Sequence, residues 1–107
     1  MPEYSFGDVV VLPFSYTDLR SEKRRPALVI LDSDDGDLLV ARITSKSYGS
    51  LFDVPIIHWD KVGLLIQSYV RLHKLVTIEK NHVLKRLGQI DATDLARIKV
   101  AFGSIIK

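Results

Sequence analysis

Short apolar runs separated by turn signals fill the first two-thirds of the chain, and one stripe at helical spacing closes it. Residues 8–14, DVVVLPF, and 26–31, PALVIL, have the length and the apolar, β-branched content of strands. From 32 to 37 the sequence Asp-Ser-Asp-Asp-Gly-Asp signals a reversal, with Asp35-Gly36 among the strongest hairpin cues. Residues 38–44, LLVARIT, are then the returning arm. These runs are unbroken rather than alternating, which predicts strands buried on both faces or nearly so. Ser45 to Leu51 is polar, contains Gly49 and reads as a loop. Residues 53–57, DVPII, predict a short edge strand, because Pro55 has no N–H to give a ladder. Residues 58–63 predict a turn or short helical excursion, 64–78 are expected to contain a long strand bent near Gln67-Ser68, and 83–90 predict one more strand.

The pattern changes at Asp91, a good N-cap, with Asp94 in the capping-box position. Leu95, Ile98, Phe102 and Ile105 recur on one helical face and predict a helix from about 92 to 105 lying across the strands. Several short strands and a terminal helix, without repeat or linker, give an α+β but mostly β fold class. The expected architecture is a small antiparallel barrel.

At 107 residues the chain is expected to form one domain over 1–107, with one hydrophobic core. Its 47% hydrophobic and 26% charged residues place it among soluble globular proteins. Cysteine is absent, which excludes disulfides and thiolate metal sites and fits a reducing cytosol. No apolar run approaches the roughly 18–20 residues that span a bilayer, and Met-Pro-Glu-Tyr-Ser lacks the order of a signal peptide. A cytoplasmic protein with no membrane partner is the expectation. The net charge of +2 hides an uneven distribution. Residues 1–70 carry seven Lys/Arg against ten Asp/Glu, while 71–107 carry eight against three. The cluster Arg20, Lys23, Arg24 and Arg25 interrupts the acidic part. Such clusters attract phosphates, although a basic run is also the ordinary solvated surface of a small domain.

Five segments in this order resemble the MazF/PemK toxins: GDVVVLPFSYTDL at 7–19, KRRPALVI at 23–30, LLVARITS at 38–45, GLLIQSYVRLHKLVTIEK at 63–80, and the closing LKRLGQIDATDLARIKVAF. The resemblance covers nearly the whole chain. It implies an SH3-like barrel with a C-terminal helix, a homodimer, and the toxin half of a type II toxin–antitoxin pair. It also implies sequence-selective, metal-independent cleavage of single-stranded RNA through a 2′,3′-cyclic phosphate. The expected partners are the RNA substrate, a cognate protein antitoxin, and operator DNA only through the toxin–antitoxin complex.

That chemistry needs a base for the ribose 2′-OH, cations or donors for the charge gathering on the phosphate, and an acid for the departing 5′-oxygen. Arg25 leads for the electrostatic role, since guanidinium engages two phosphate oxygens at once and the family's Arg-Pro pair matches Arg25-Pro26. Thr44 ends the LLVARIT run, where the family's motif carries an active-site threonine, and its hydroxyl can donate to phosphate. Arg71 and His73, at i and i+2 of a strand, project from one face roughly 7 Å apart. One branch of the family has Arg-x-Asp there, so His73 departs from the pattern. Either its imidazole, with an ordinary pKa near 6.5, takes over proton transfer, or catalysis rests on Arg25 and Thr44. Arg20, Lys23, Arg24, Ser45 and Lys46 are the expected RNA-binding residues.

No His/Asp/Glu spacing suggests a metal site, and neither a phosphate-binding glycine loop nor a nucleophile elbow is present. No metal and no cofactor are therefore expected. The lone Trp59 is expected to be core rather than a stacking platform. The rival function is a non-enzymatic binding toxin resembling the CcdB-type topoisomerase poisons. An inactive nucleic-acid-binding member is a further alternative, and the Arg25/Thr44 pair separates these from an enzyme.

Overall fold

The computed structural model describes residues 2–14 and 23–106, without the side chains of Phe14 and Lys23. Among the described residues, six strands form one antiparallel sheet: β1 (Asp8–Phe14), β2 (Lys23–Asp32), β3 (Asp37–Thr44), β4 (Asp53–Ile56), β5 (Ser68–Glu79) and β6 (Lys85–Gln89). The spatial order is β4-β5-β3-β2-β1-β6, and a helix, α1 (Ala92–Ile105), follows. The sheet curls into a half-barrel because extra residues interrupt three of its ladders. Ile30 is skipped between β2 and β3, Leu87 between β1 and β6, and residues 72–74 between β3 and β5.

The expected long strand therefore differs in detail. It runs from Ser68 to Glu79, and its bend falls at 72–74 rather than near Gln67. At that bend the Leu72 N–H leaves the β3 ladder and donates to the Phe52 carbonyl at 3.0 Å, which a local sequence pattern does not encode. The last strand is also shorter than expected. Residues 80–82 form a 3-10 turn and pairing starts at Lys85. The edge position of β4 with Pro55, the 32–37 reversal and the 3-10 turn at Trp59–Val62 agree with the sequence. Asp34 (φ 60°) and Gly36 (φ 95°) supply the left-handed residues of that reversal.

Burial on both faces of β1–β3 is what the unbroken runs require. One core gathers Val9, Leu28, Ala41, Ile43, Val70 and Leu72 beneath α1. The other places Val10, Leu12, Ala27, Val29, Leu38 and Val40 on the opposite face, covered by Tyr4, Ile78 and Val83. Ile98 is fully buried, and Leu95, Phe102 and Ile105 pack beside it, as the helical stripe predicts. Burying a side chain of that size stabilises the fold by about 1.5–3 kcal/mol. Trp59 also packs partly buried against this core.

The two ends of the sheet, β4 and β6, do not pair with each other among the described residues. The 3-10 turn at 59–62 fills the gap and packs on β6. Contact is close enough that a Cβ on Gly88 would stand 3.3 Å from the Val62 carbonyl oxygen. Glycine at 88 is thus the residue that lets the seam close.

Asp91 caps α1 as expected, accepting the Thr93 N–H at 3.1 Å. Its carboxyl is held below the ordinary value by hydrogen bonds from the Thr93 hydroxyl and N–H, with His58 and Lys61 adding to the effect. Asp94 does not close a capping box. It is fully buried and accepts the Ile57 N–H (3.1 Å) and the His58 N–H (2.8 Å), and it pairs with Arg97. Asp94 thereby satisfies the backbone just past β4, where strand pairing has ended, and pins α1 to that edge of the sheet.

Candidate active-site cleft

Pro26 lies where two strands part. Its neighbour Ala27 is the last β2 residue in register with β3, opposite Arg42, whereas pairing with β1 continues through Pro26, Arg25 and Arg24. Proline has no N–H to carry the β3 ladder further. Residues 24–26 and 43–45 therefore splay, and a cleft of about 440 Å³ opens between them. Arg24, Arg25 and Pro26 form one wall, Ile43, Thr44 and Ser45 the other. Leu64, Leu65 and Ile66 supply apolar lining, and Lys85 and Leu87 of β6 complete it. Leu65 is 94% exposed at the rim.

Arg25 and Thr44, chosen from distant segments of the sequence, thus line one cavity, and Arg24 and Ser45 join them. Arg25 sits in the third position of β2 opposite Leu12, so the strand begins before it rather than at it. Its backbone is fixed by pairing and its side chain is half-buried. The Thr44 Oγ1 accepts the Lys46 N–H at 3.1 Å. That bond uses one lone pair of the oxygen and leaves the hydroxyl proton for donation. Lys46 does not line the cleft, and its ammonium lies 5.1 Å from the Tyr48 ring centroid. Arg20 lies outside the described residues, as does the Lys23 side chain, whose backbone opens β2. Lys85 is a further lining cation, with no motif of its own in the sequence. Its only signal was the basic excess of residues 71–107.

Arg71 and His73 stand apart from the cleft. They follow Tyr69 on the outward face of β5, while Val70 and Leu72 point into the core and Ser68 lines the cleft. Tyr69 is the partner of Thr44 across the ladder, so the pair continues the same face of the sheet beyond the cleft wall. The Arg71 Nε donates to Asp53 Oδ1 at 2.9 Å, and its guanidinium stacks 3.9 Å from the Tyr48 centroid. Asp53 is a site neighbour that sequence reasoning missed, because the contact crosses 18 residues.

One possible metal-ligating group does form despite the absence of any spacing signal. Donor atoms of His58, Asp91 and Asp94 lie within 4.8 Å of one another. Both Asp94 oxygens already accept backbone N–H groups, one also meets Arg97, and Lys61 Nζ stands 3.8 Å from Asp91. The chemistry of this cluster is that of a structural anchor.

The comparisons with known proteins agree with this architecture. A family model described as PemK-like, MazF-like toxin of type II toxin-antitoxin system matches residues 5–106. Solved structures with the same fold include MazE–MazF (Form III) from Deinococcus radiodurans, with a TM-score of 0.75 and 22% identity over 96% of this chain and 95% of that one. A mycobacterial endoribonuclease in complex with its cognate antitoxin has a TM-score of 0.74 and 16% identity, covering 96% and 94%. The Mycobacterium tuberculosis toxin MazF-mt6 gives 0.73 and 22%, covering 92% and 95%. No curated protein matches by sequence.

Proposed function

The chain belongs to the family of PemK-like, MazF-like toxins of type II toxin–antitoxin systems, and on that premise we propose that it is a metal-independent, sequence-selective endoribonuclease of single-stranded RNA. The observation that carries this reading is the meeting of Arg25 and Thr44 in one cleft made by the parting of β2 and β3. A ribose 2′-oxygen brings its own nucleophile, so the protein has to supply proton transfer and charge stabilisation only. A base takes the 2′-OH proton, the 2′-oxygen attacks phosphorus, the bond to the 5′-oxygen breaks, and an acid protonates that oxygen. The products are a 2′,3′-cyclic phosphate and a free 5′-hydroxyl. Arg25 neutralises the charge that grows on the phosphate, and the Thr44 hydroxyl donates to a second oxygen. Arg24, Ser45 and Lys46, with Arg20 and Lys23 before them, hold the flanking RNA backbone.

The same reading makes the protein a cytoplasmic homodimer. Its basic surface takes an acidic segment of the cognate antitoxin, which excludes RNA by competition. The similar solved structures include MazE–MazF and an endoribonuclease in complex with its cognate antitoxin. The test is incubation of the pure protein with mixed-sequence RNA in EDTA, followed by mapping of the fragment ends. Cyclic phosphate and 5′-hydroxyl ends are expected. Intact RNA with the wild-type protein, or activity that returns only with magnesium, would overturn the reading.

A further inference from the structure

Asp53 and Arg71 face each other across the β4–β5 ladder, and their side chains are 4% and 12% exposed. An arginine–carboxylate pair that is free to choose its geometry closes as a two-bond fork. Here only Nε is engaged, and the buried Asp53 Oδ2 accepts no hydrogen bond among the described residues. A bare carboxylate oxygen in the interior is costly. The rest of the guanidinium is turned away from Asp53 Oδ2, spanning from the Tyr48 ring to His73, with Arg71 Nη2 at 3.4 Å from His73 Nε2. The His73 ring in turn rests tilted against Phe52, centroids 5.6 Å apart.

We propose that Asp53 is a positioning residue, acting through Arg71 to set the tautomer of His73 with the ring proton on Nδ1, so that His73 meets RNA as a hydrogen-bond donor. The inference rests on the RNA-cleavage reading for the identity of the ligand, while the tautomer follows from geometry. Guanidinium has donors and no acceptor at any accessible pH. The ring nitrogen facing it must therefore offer a lone pair, which leaves the proton of the neutral ring on Nδ1. The Nε2 lone pair is then engaged and closed to a ribose hydroxyl. The open edge of this exposed ring is an N–H, suited to a phosphate oxygen or a base carbonyl further along the strand held by the cleft. The role of proton acceptor passes to another group.

Long-range proton–nitrogen spectra of the whole 15N-labelled protein, recorded above the imidazole titration range, read the tautomer directly. Free histidine favours the Nε2–H form, so a dominant Nδ1–H pattern at His73 is the expected and distinctive result. Asp53→Asn and Arg71→Lys should each move His73 towards Nε2–H, with His58 and His82 unchanged as internal references. If Asp53→Asn does not fold, Arg71→Lys still decides, since it keeps the charge and loses the Nε–H that meets Asp53 and the Nη2 donor that faces His73. In cleavage assays His73→Asn, which retains a donor, should exceed His73→Asp by about tenfold, the equivalent of one hydrogen bond. A wild-type Nε2–H pattern, an unmoved tautomer in the folded variants, or a His73→Asp protein more active than His73→Asn overturns the proposal. Should the Nδ1–H pattern hold in a protein that cuts no RNA, the cleavage reading falls and the tautomer assignment stands.

Discussion

The cleft and the Asp94 anchor use the same kinds of group, arginine, hydroxyl or carboxylate and backbone N–H, in opposite ways. At the anchor every polar atom has a destination: two N–H groups beyond β4 end on Asp94, and Arg97 closes against the same carboxylate. In the cleft, the walls are two strands that have stopped pairing with each other, and Arg25 and Thr44 face an open cavity. Satisfied polar atoms stabilise, and poised ones are available to a ligand. The comparison teaches where to cut for activity and where to cut for stability.

The sharpest way to break it is Arg25→Ala. Cleavage should fall by about 10²–10³, the usual loss when one donor to a developing charge is removed, with the melting temperature nearly unchanged. A folded variant that turns over at the wild-type rate removes Arg25 from the mechanism. The opposite effect is expected at the anchor. Asp94→Ala strands two backbone donors and Arg97, costing about 2–3 kcal/mol in urea unfolding while the folded fraction still cleaves. Unaltered stability would show that other groups hold α1 to the sheet.

Thr44→Val, near-isosteric, should slow cleavage by roughly tenfold, as expected for one neutral hydrogen bond, and Thr44→Ser should restore most of it. Equal loss in both variants would assign Thr44 to packing. The smallest effect concerns a third, fully committed group. Burial pushes Asp32 up, but Lys80 at 2.9 Å and the N–H groups of Tyr4 and Asp34 outweigh it, holding its carboxyl at about 2 against an ordinary 3.8. A depressed carboxylate stabilises fully above about pH 4, and the contribution disappears as pH falls to about 2. Lys80, raised above 10.5 by the Asp32 hydrogen bond, contributes below that value and loses its contribution as pH rises past it. Asp32→Asn should flatten the stability curve between about pH 4 and 2. A curve parallel to the wild type would discount the pair.

The sequence makes the scaffold legible for a physical reason. Strands β1 to β3 and helix α1 announce themselves through runs and stripes within a few residues, and burial follows those periods. Arg25 and Thr44 stand out in the sequence through family resemblance and the geometry of guanidinium. That they line one cavity follows from strand register and the missing N–H of Pro26. What stayed hidden depends on contacts across long stretches of chain. Asp94 reads as a cap until its oxygens meet Ile57 and His58, 37 and 36 residues away. Asp53 reads as the start of an edge strand until Arg71 arrives from β5. The bend at 72–74 needs the Phe52 carbonyl, and no local rule places it there.

The seam at Gly88 has a consequence in time as well as in space. The cleft takes its first wall from Val11 and its last from Leu87, so its lining spans most of the polypeptide in order of synthesis. A ribosome delivers the chain from its N-terminus at about 5–20 residues per second. Until residues 85–89 have been made, the strands already present lack the one that carries Lys85 and Leu87. The cavity is thus among the last features completed, and a nascent or truncated chain ending before residue 85 lacks that side of it.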